Sequence, residues 1–147
     1  VVGESASAQM ATLVRTEDAR LAGVISFYGV YDFLPLARNL TARSAVTRLF
    51  GITQIDGAAR VLLAKYSPIH HVHRAQPPVL LVHGTAEGLW TQGLSMAERL
   101  GTAGARFQLI RLEGAPHGME NWEGQPQWLH NKGKVVDWIK AVTGERR

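Results

Sequence analysis

The run Val79-Leu80-Leu81-Val82-His83, entering Gly84, constrains this chain more than any other stretch. A strand with one wet face alternates apolar and polar residues, whereas an unbroken apolar run is covered on both faces, as in a parallel sheet between two helical layers. Leu21-Ala22-Gly23-Val24-Ile25-Ser26-Phe27-Tyr28-Gly29 is a second run of the same kind. Between the two, Ala42 to Phe50 and Asp56 to Lys65 have helical composition, with Asp56 placed as an N-cap and Gly51 as a stop. Tyr31 to Leu40, which contains Pro35, reads as a loop. The stretch from Tyr66-Ser67-Pro68 to Pro77-Pro78 reads as irregular, because paired prolines favour extended backbone and remove amide donors.

The flanks continue this rhythm. Val1-Val2 is a short first strand, and Ala6 to Val14 is rich in residues that lose little on entering a helix. Gln92 to Thr102 is predicted helical with Leu94, Ala97 and Leu100 on one face. Arg106 to Leu112 has the look of a strand near the sheet edge, and a final helix is expected from about Trp128 to Val142, packed through Val135, Trp138, Ile139 and Val142. The sequence therefore predicts an α/β fold, a mostly parallel sheet flanked by helices, with residues 32–77 as a helical excursion and loop above it.

The 147 residues suit one domain with a core, and a hydrophobic share of 46% fits a globular chain. No stretch approaches the roughly 18 uninterrupted apolar residues of a membrane span, so none is expected. Cysteine is absent, which excludes disulfides, thiolate metal sites and a cysteine nucleophile and leaves serine chemistry as the main nucleophilic option. The net charge of +4 comes from scattered arginines such as Arg15, Arg20, Arg38 and Arg60, with only Arg146-Arg147 clustered. Without a basic stripe interleaved with aromatics, no nucleic-acid partner is expected. The first residue is Val1 rather than Met, and the chain is expected to open in the middle of a fold.

Three turns carry the chemistry. Gly3-Glu4-Ser5-Ala6-Ser7 fits the G-x-S-x-G nucleophile elbow at four of five positions, with Ser7 at the second glycine. Small neighbours are needed there because the serine occupies a strained strand-to-helix turn, and the Ala6 N–H at the helix start is placed to donate to a developing oxyanion. His83-Gly84-Thr85-Ala86-Glu87 follows a buried strand and offers Glu87 as the carboxylate that steadies an imidazole. Asp32, just beyond the Val24 to Tyr28 strand, is the alternative acid, and His83 is expected to be a turn residue that hydrogen-bonds the loop. Gly114-Ala115-Pro116-His117-Gly118 offers His117 as general base, since imidazole gains and loses its proton near neutral pH.

The order serine, carboxylate, histidine and the segments around it resemble the α/β-hydrolase superfamily, in its esterase and acyl-peptidase-like branch with acetyl esterases and feruloyl esterase-like enzymes. The resemblance is carried by Gly3 to Ser7, Tyr28-Gly29-Val30-Tyr31-Asp32, Tyr66-Ser67-Pro68, Pro77 to Ala86 and Gly114 to Gly118. It implies a partial α/β-hydrolase fold over residues 1–147, with the N-terminal strands missing and the chain beginning at the nucleophile elbow. It also implies a serine carboxylic-ester hydrolase acting through an acyl-enzyme, with Ser5 as nucleophile, Glu87 as acid and His117 as base. Two departures stand out: Glu87 where the family usually has aspartate, and Ser7 where it usually has glycine. The family's second oxyanion donor precedes the nucleophile, so these residues hold half an oxyanion hole and are expected to be nearly inactive alone.

The expected partner is a small-molecule ester, with no cofactor. A peptidase or arylformamidase of the same fold and a non-catalytic binding module are the alternatives. Trp90 and Trp122, in the acid and histidine loops, are candidates to line a substrate pocket. His70, His71 and His73 lie among prolines with no nearby carboxylate in sequence, so no metal site is expected.

Overall fold

The computed structural model describes residues 1–18, 20–39 and 41–144; the Arg146-Arg147 pair and Leu40 lie outside them. Strands β1 (Val2–Glu4), β2 (Val24–Phe27), β3 (Val79–Gly84) and β4 (Phe107–Leu112) form one sheet in the order β1-β2-β3-β4. Every neighbouring pair is parallel, with Gly3 opposite Ser26, Ser26 opposite Leu81 and Leu81 opposite Leu109. All six residues of β3 are buried, as its unbroken apolar run requires, whereas β4 at the sheet edge alternates toward exposure.

Helices α1 (Ser5–Glu17), α2 (Phe33–Arg38), α3 (Arg43–Phe50), α4 (Gly57–Lys65), α5 (Trp90–Thr102) and α6 (Pro126–Thr143) complete the described elements, with 3₁₀ turns at Pro68–His71 and Met119–Asn121. Strand alternation divides the core. Val24, Val79 and Leu81 join Ala11 of α1 and Met96 and Leu100 of α5, while Ile25, Leu80, Val82 and Ile110 meet Val135 and Trp138 of α6. A third cluster, Phe33, Ala37, Val46 and Leu63, is built from α2, α3 and α4.

Asp56 caps α4 by accepting from the Ala59 N–H, and Gly51 closes α3 in a left-handed conformation, as the sequence indicates. Three details differ from it. Phe33–Arg38 is helical rather than loop: Asp32 accepts from the Leu34 N–H, and Pro35 stands in the first turn, where a helix needs no amide donor. On α5 the buried face is Gln92, Gly93, Met96 and Leu100, leaving Leu94 exposed. On α6, Ile139 is likewise exposed, because Val135 and Trp138 already fill the sheet-facing side.

Candidate active site

β1 runs straight into α1, and the junction residue Ser5 has φ of 48°, a left-handed conformation that few non-glycine residues adopt. The turn is tight enough that a Cβ on Gly3 would stand 2.4 Å from the Ser7 carbonyl oxygen. Ser7 fastens it: its hydroxyl accepts from the Glu4 N–H at 2.9 Å and donates to the Glu4 carbonyl at 2.8 Å. A hydroxyl in place of the usual glycine hydrogen therefore stitches the elbow. Ala6 is the second residue of α1, where the helix ladder does not engage its N–H.

His117 lies in the loop after β4. Its Nε2 is 3.2 Å from Ser5 Oγ, and its Nδ1 is 2.5 Å from Glu87 Oε2. The Glu87 side chain is wholly buried and the imidazole is 43% exposed, so the ring faces solvent on one side and a buried anion on the other. The acid and histidine loops are joined by the Ala86 N–H donating to the Ala115 carbonyl and the Gly114 N–H donating to Thr85 Oγ1. Trp122 Nε1–H donates to the Pro116 carbonyl, and Asn121 Nδ2–H donates to that of His117.

The other candidate acid sits elsewhere. Asp32 caps α2, and its nearest imidazole is that of His70, at 3.9 Å. Its position is set by α5, whose buried Gln92 side chain accepts from the Tyr31 and Asp32 N–H groups and donates to the Asp32 carbonyl. His71 Nε2 faces the Lys65 carbonyl and His73 Nε2 that of Thr16, so the three neighbouring imidazoles have separate partners.

Two tyrosines take parts that the sequence did not signal. Tyr28 has φ of 39° at the end of β2, and its ring stands edge-on to that of His117, with 4.5 Å between centroids. Its hydroxyl donates to Glu4 Oε2 at 2.6 Å and accepts from the Met119 N–H at 3.0 Å, linking elbow to histidine loop. Burial, reinforced by the bond to Glu4, pushes this phenol upward from its ordinary value, so it remains a donor at neutral pH. Tyr31 OH lies 3.1 Å from His83 Nε2 and 2.7 Å from Ser26 Oγ, and His83 Nδ1 lies 2.9 Å from Glu87 Oε1. The hydrogen bond expected of His83 thus goes to the candidate acid itself, from a ring with no solvent exposure.

A cavity of about 620 Å³ opens between α6 and the sheet, lined by Glu4, Phe27, Met119, Trp122, Trp128 and Val136 among others. Trp122 reaches it while packing edge-on to Tyr28, with ring centroids 5.2 Å apart. Trp90, paired with Trp122 in the sequence reading, stands instead at the start of α5 with its ring 6.3 Å from that of His83. Its partner is a buried imidazole rather than this cavity.

A family model described as BD-FAE matches residues 2–97. No curated protein matches. Among solved structures, an acetyl ester-xyloside bifunctional hydrolase from Caldicellulosiruptor lactoaceticus superposes with a TM-score of 0.78 at 21% identity, covering 98% of this chain and 56% of that one. A fungal esterase from Rhizomucor miehei gives 0.76 at 16% identity, over 99% and 52%. The propionate-bound esterase Est2 from Thermogutta terrifontis gives 0.68 at 22% identity, over 97% and 55%. The chain thus spans about half the length of these structures, and its parallel sheet with flanking helices is a partial α/β-hydrolase fold.

Proposed function

The chain belongs to the BD-FAE family, and from that premise we propose that it carries the reacting groups of a serine carboxylic-ester hydrolase. The observation that supports this most is the hydrogen-bonded line from Ser5 Oγ through His117 to Glu87. The names of the similar structures, an acetyl ester-xyloside hydrolase and esterases, agree with a small ester as substrate.

In the proposed reaction His117 Nε2 takes the Ser5 proton as Oγ attacks the ester carbonyl carbon, and the carbonyl oxygen becomes an oxyanion beside the Ala6 N–H. The tetrahedral carbon then expels the alcohol, which leaves with the proton from His117, and the acyl group stays on Ser5. Water, deprotonated by the same imidazole, releases the carboxylic acid and restores the hydroxyl. Glu87 holds the Nδ1 proton and stabilises the imidazolium formed in both halves.

The test is labelling of Ser5 in the full-length protein with a fluorophosphonate probe, followed by side-by-side assays on a short-chain p-nitrophenyl ester and the matching anilide. Labelling that Ser5→Ala abolishes, with the ester cleaved faster than the anilide, is the expected result. A serine that stays unlabelled makes the chain a binding module, and preference for the anilide makes it a peptidase-like enzyme.

A further inference from the structure

We propose that His83 is a second imidazole bound to Glu87, donating to it from Nδ1, and that it is a positioning residue that holds the carboxylate aimed at His117. Only the consequence for ester cleavage rests on the function proposed above; the placement of His83 stands on its own geometry.

The directions of the hydrogen bonds follow from the partners. Glu87 is wholly buried and presents one oxygen to each ring, Oε1 to His83 Nδ1 and Oε2 to His117 Nδ1. A buried carboxylate needs donors, so His83 Nδ1 carries a hydrogen, and in a neutral ring Nε2 is then an acceptor. The group facing Nε2 is the Tyr31 hydroxyl, which donates to it and in turn accepts from Ser26. Burial pushes Tyr31 upward from its ordinary value, which preserves that donor. The opposite tautomer would turn a lone pair toward the carboxylate at 2.9 Å.

The ring is also confined. A Cβ at Gly93 would stand 2.7 Å from His83 Cδ2, so α5 passes the imidazole at a distance that only glycine permits. Such support suits a glutamate. Compared with aspartate it has one more rotatable bond, and its terminal carboxyl torsion is broad. Engaging Oε1 removes that freedom and leaves Oε2 directed at His117. Donation along Ser26, Tyr31 and His83 strengthens each successive bond and spreads the Glu87 charge inward.

The experiment uses the 147-residue chain labelled with ¹⁵N-histidine. Two-bond ¹H–¹⁵N spectra at pH 7 are expected to show the His83 hydrogen on Nδ1, with Nε2 accepting. A His83 ring whose Nε2 carries a hydrogen overturns the proposal without any variant. His83→Leu, which removes the donor, should move the His117 Nδ1 proton resonance further downfield, because Glu87 then accepts more strongly from its remaining partner. His83→Asn, whose amide N–H stands close to where Nδ1–H stood, should restore it. Tyr31→Phe, the milder change, should produce a smaller shift of the same sign. A His117 resonance that none of these moves leaves His83 as a space-filling residue. None of the readouts needs turnover, so failure of Ser5 to label leaves the result for His83 intact.

Discussion

Replacing Arg15 by methionine is expected to stabilise the fold. Arg15 lies on the face of α1 that also buries Ala8, Ala11 and Thr12, its exposure is 0%, and its three guanidinium nitrogens have no hydrogen-bond partner among the described residues. Burial pulls this guanidinium down from its ordinary value to about 10, so keeping the cation inside at neutral pH costs on the order of a few kcal/mol. Methionine keeps most of the apolar stem and discards the charge. Arg15→Met should therefore gain about 1–3 kcal/mol in urea unfolding at pH 7, or about 3 °C in Tm per kcal/mol. Native Arg15 loses its proton before the unfolded chain does, so above about pH 10 the unfolded state binds more protons and wild-type stability gains from this group. Tyr28 and Tyr31, both pushed upward by burial, act the other way under alkaline conditions, which makes the neutral-pH difference the cleaner measurement. A loss of more than about 1 kcal/mol in the variant would refute the reasoning, because it would mean that the folded protein compensates this cation.

Three further outcomes follow from the site. Glu87→Gln should slow fluorophosphonate labelling of Ser5 by up to about 10⁴-fold, whereas Asp32→Asn, which retains an N-cap for α2, should leave it unchanged; the reverse order would make Asp32 the acid. Tyr28→Phe leaves the Met119 N–H and the Glu4 carboxylate without their shared partner, and should cost about 1–3 kcal/mol in urea unfolding. Ser7→Ala removes the two bonds that fasten the elbow and should cost about 1 kcal/mol, read by the same melts.

Much of the fold is legible residue by residue, because the signals are local. The run through β3 has no polar break and is buried throughout, and the Asp56 and Gly51 boundaries follow from side-chain capping and left-handed backbone. The errors arise where a helix rotates to suit a neighbour. Leu94 has the hydrophobicity of a core residue, yet α5 turns Gly93 and Gln92 inward, since one must pass the His83 ring and the other must satisfy the amides of Tyr31 and Asp32. Pro35 suggested a loop, but in a first helical turn it costs no hydrogen bond.

The sequence by itself determined the alternation of strands and helices and the order of Ser5, Glu87 and His117 in their turns, since apolar periodicity and small residues at turns act over a few neighbouring positions. Only the tertiary structure decided that Glu87 rather than Asp32 meets His117, that His83 shares the same carboxylate, that Tyr28 ties the elbow to the histidine loop, and that an arginine lies in the core. Those contacts join residues tens of positions apart. They are fixed by the register of parallel strands and the rotation of α5, which depend on packing across the whole sheet rather than on any one segment.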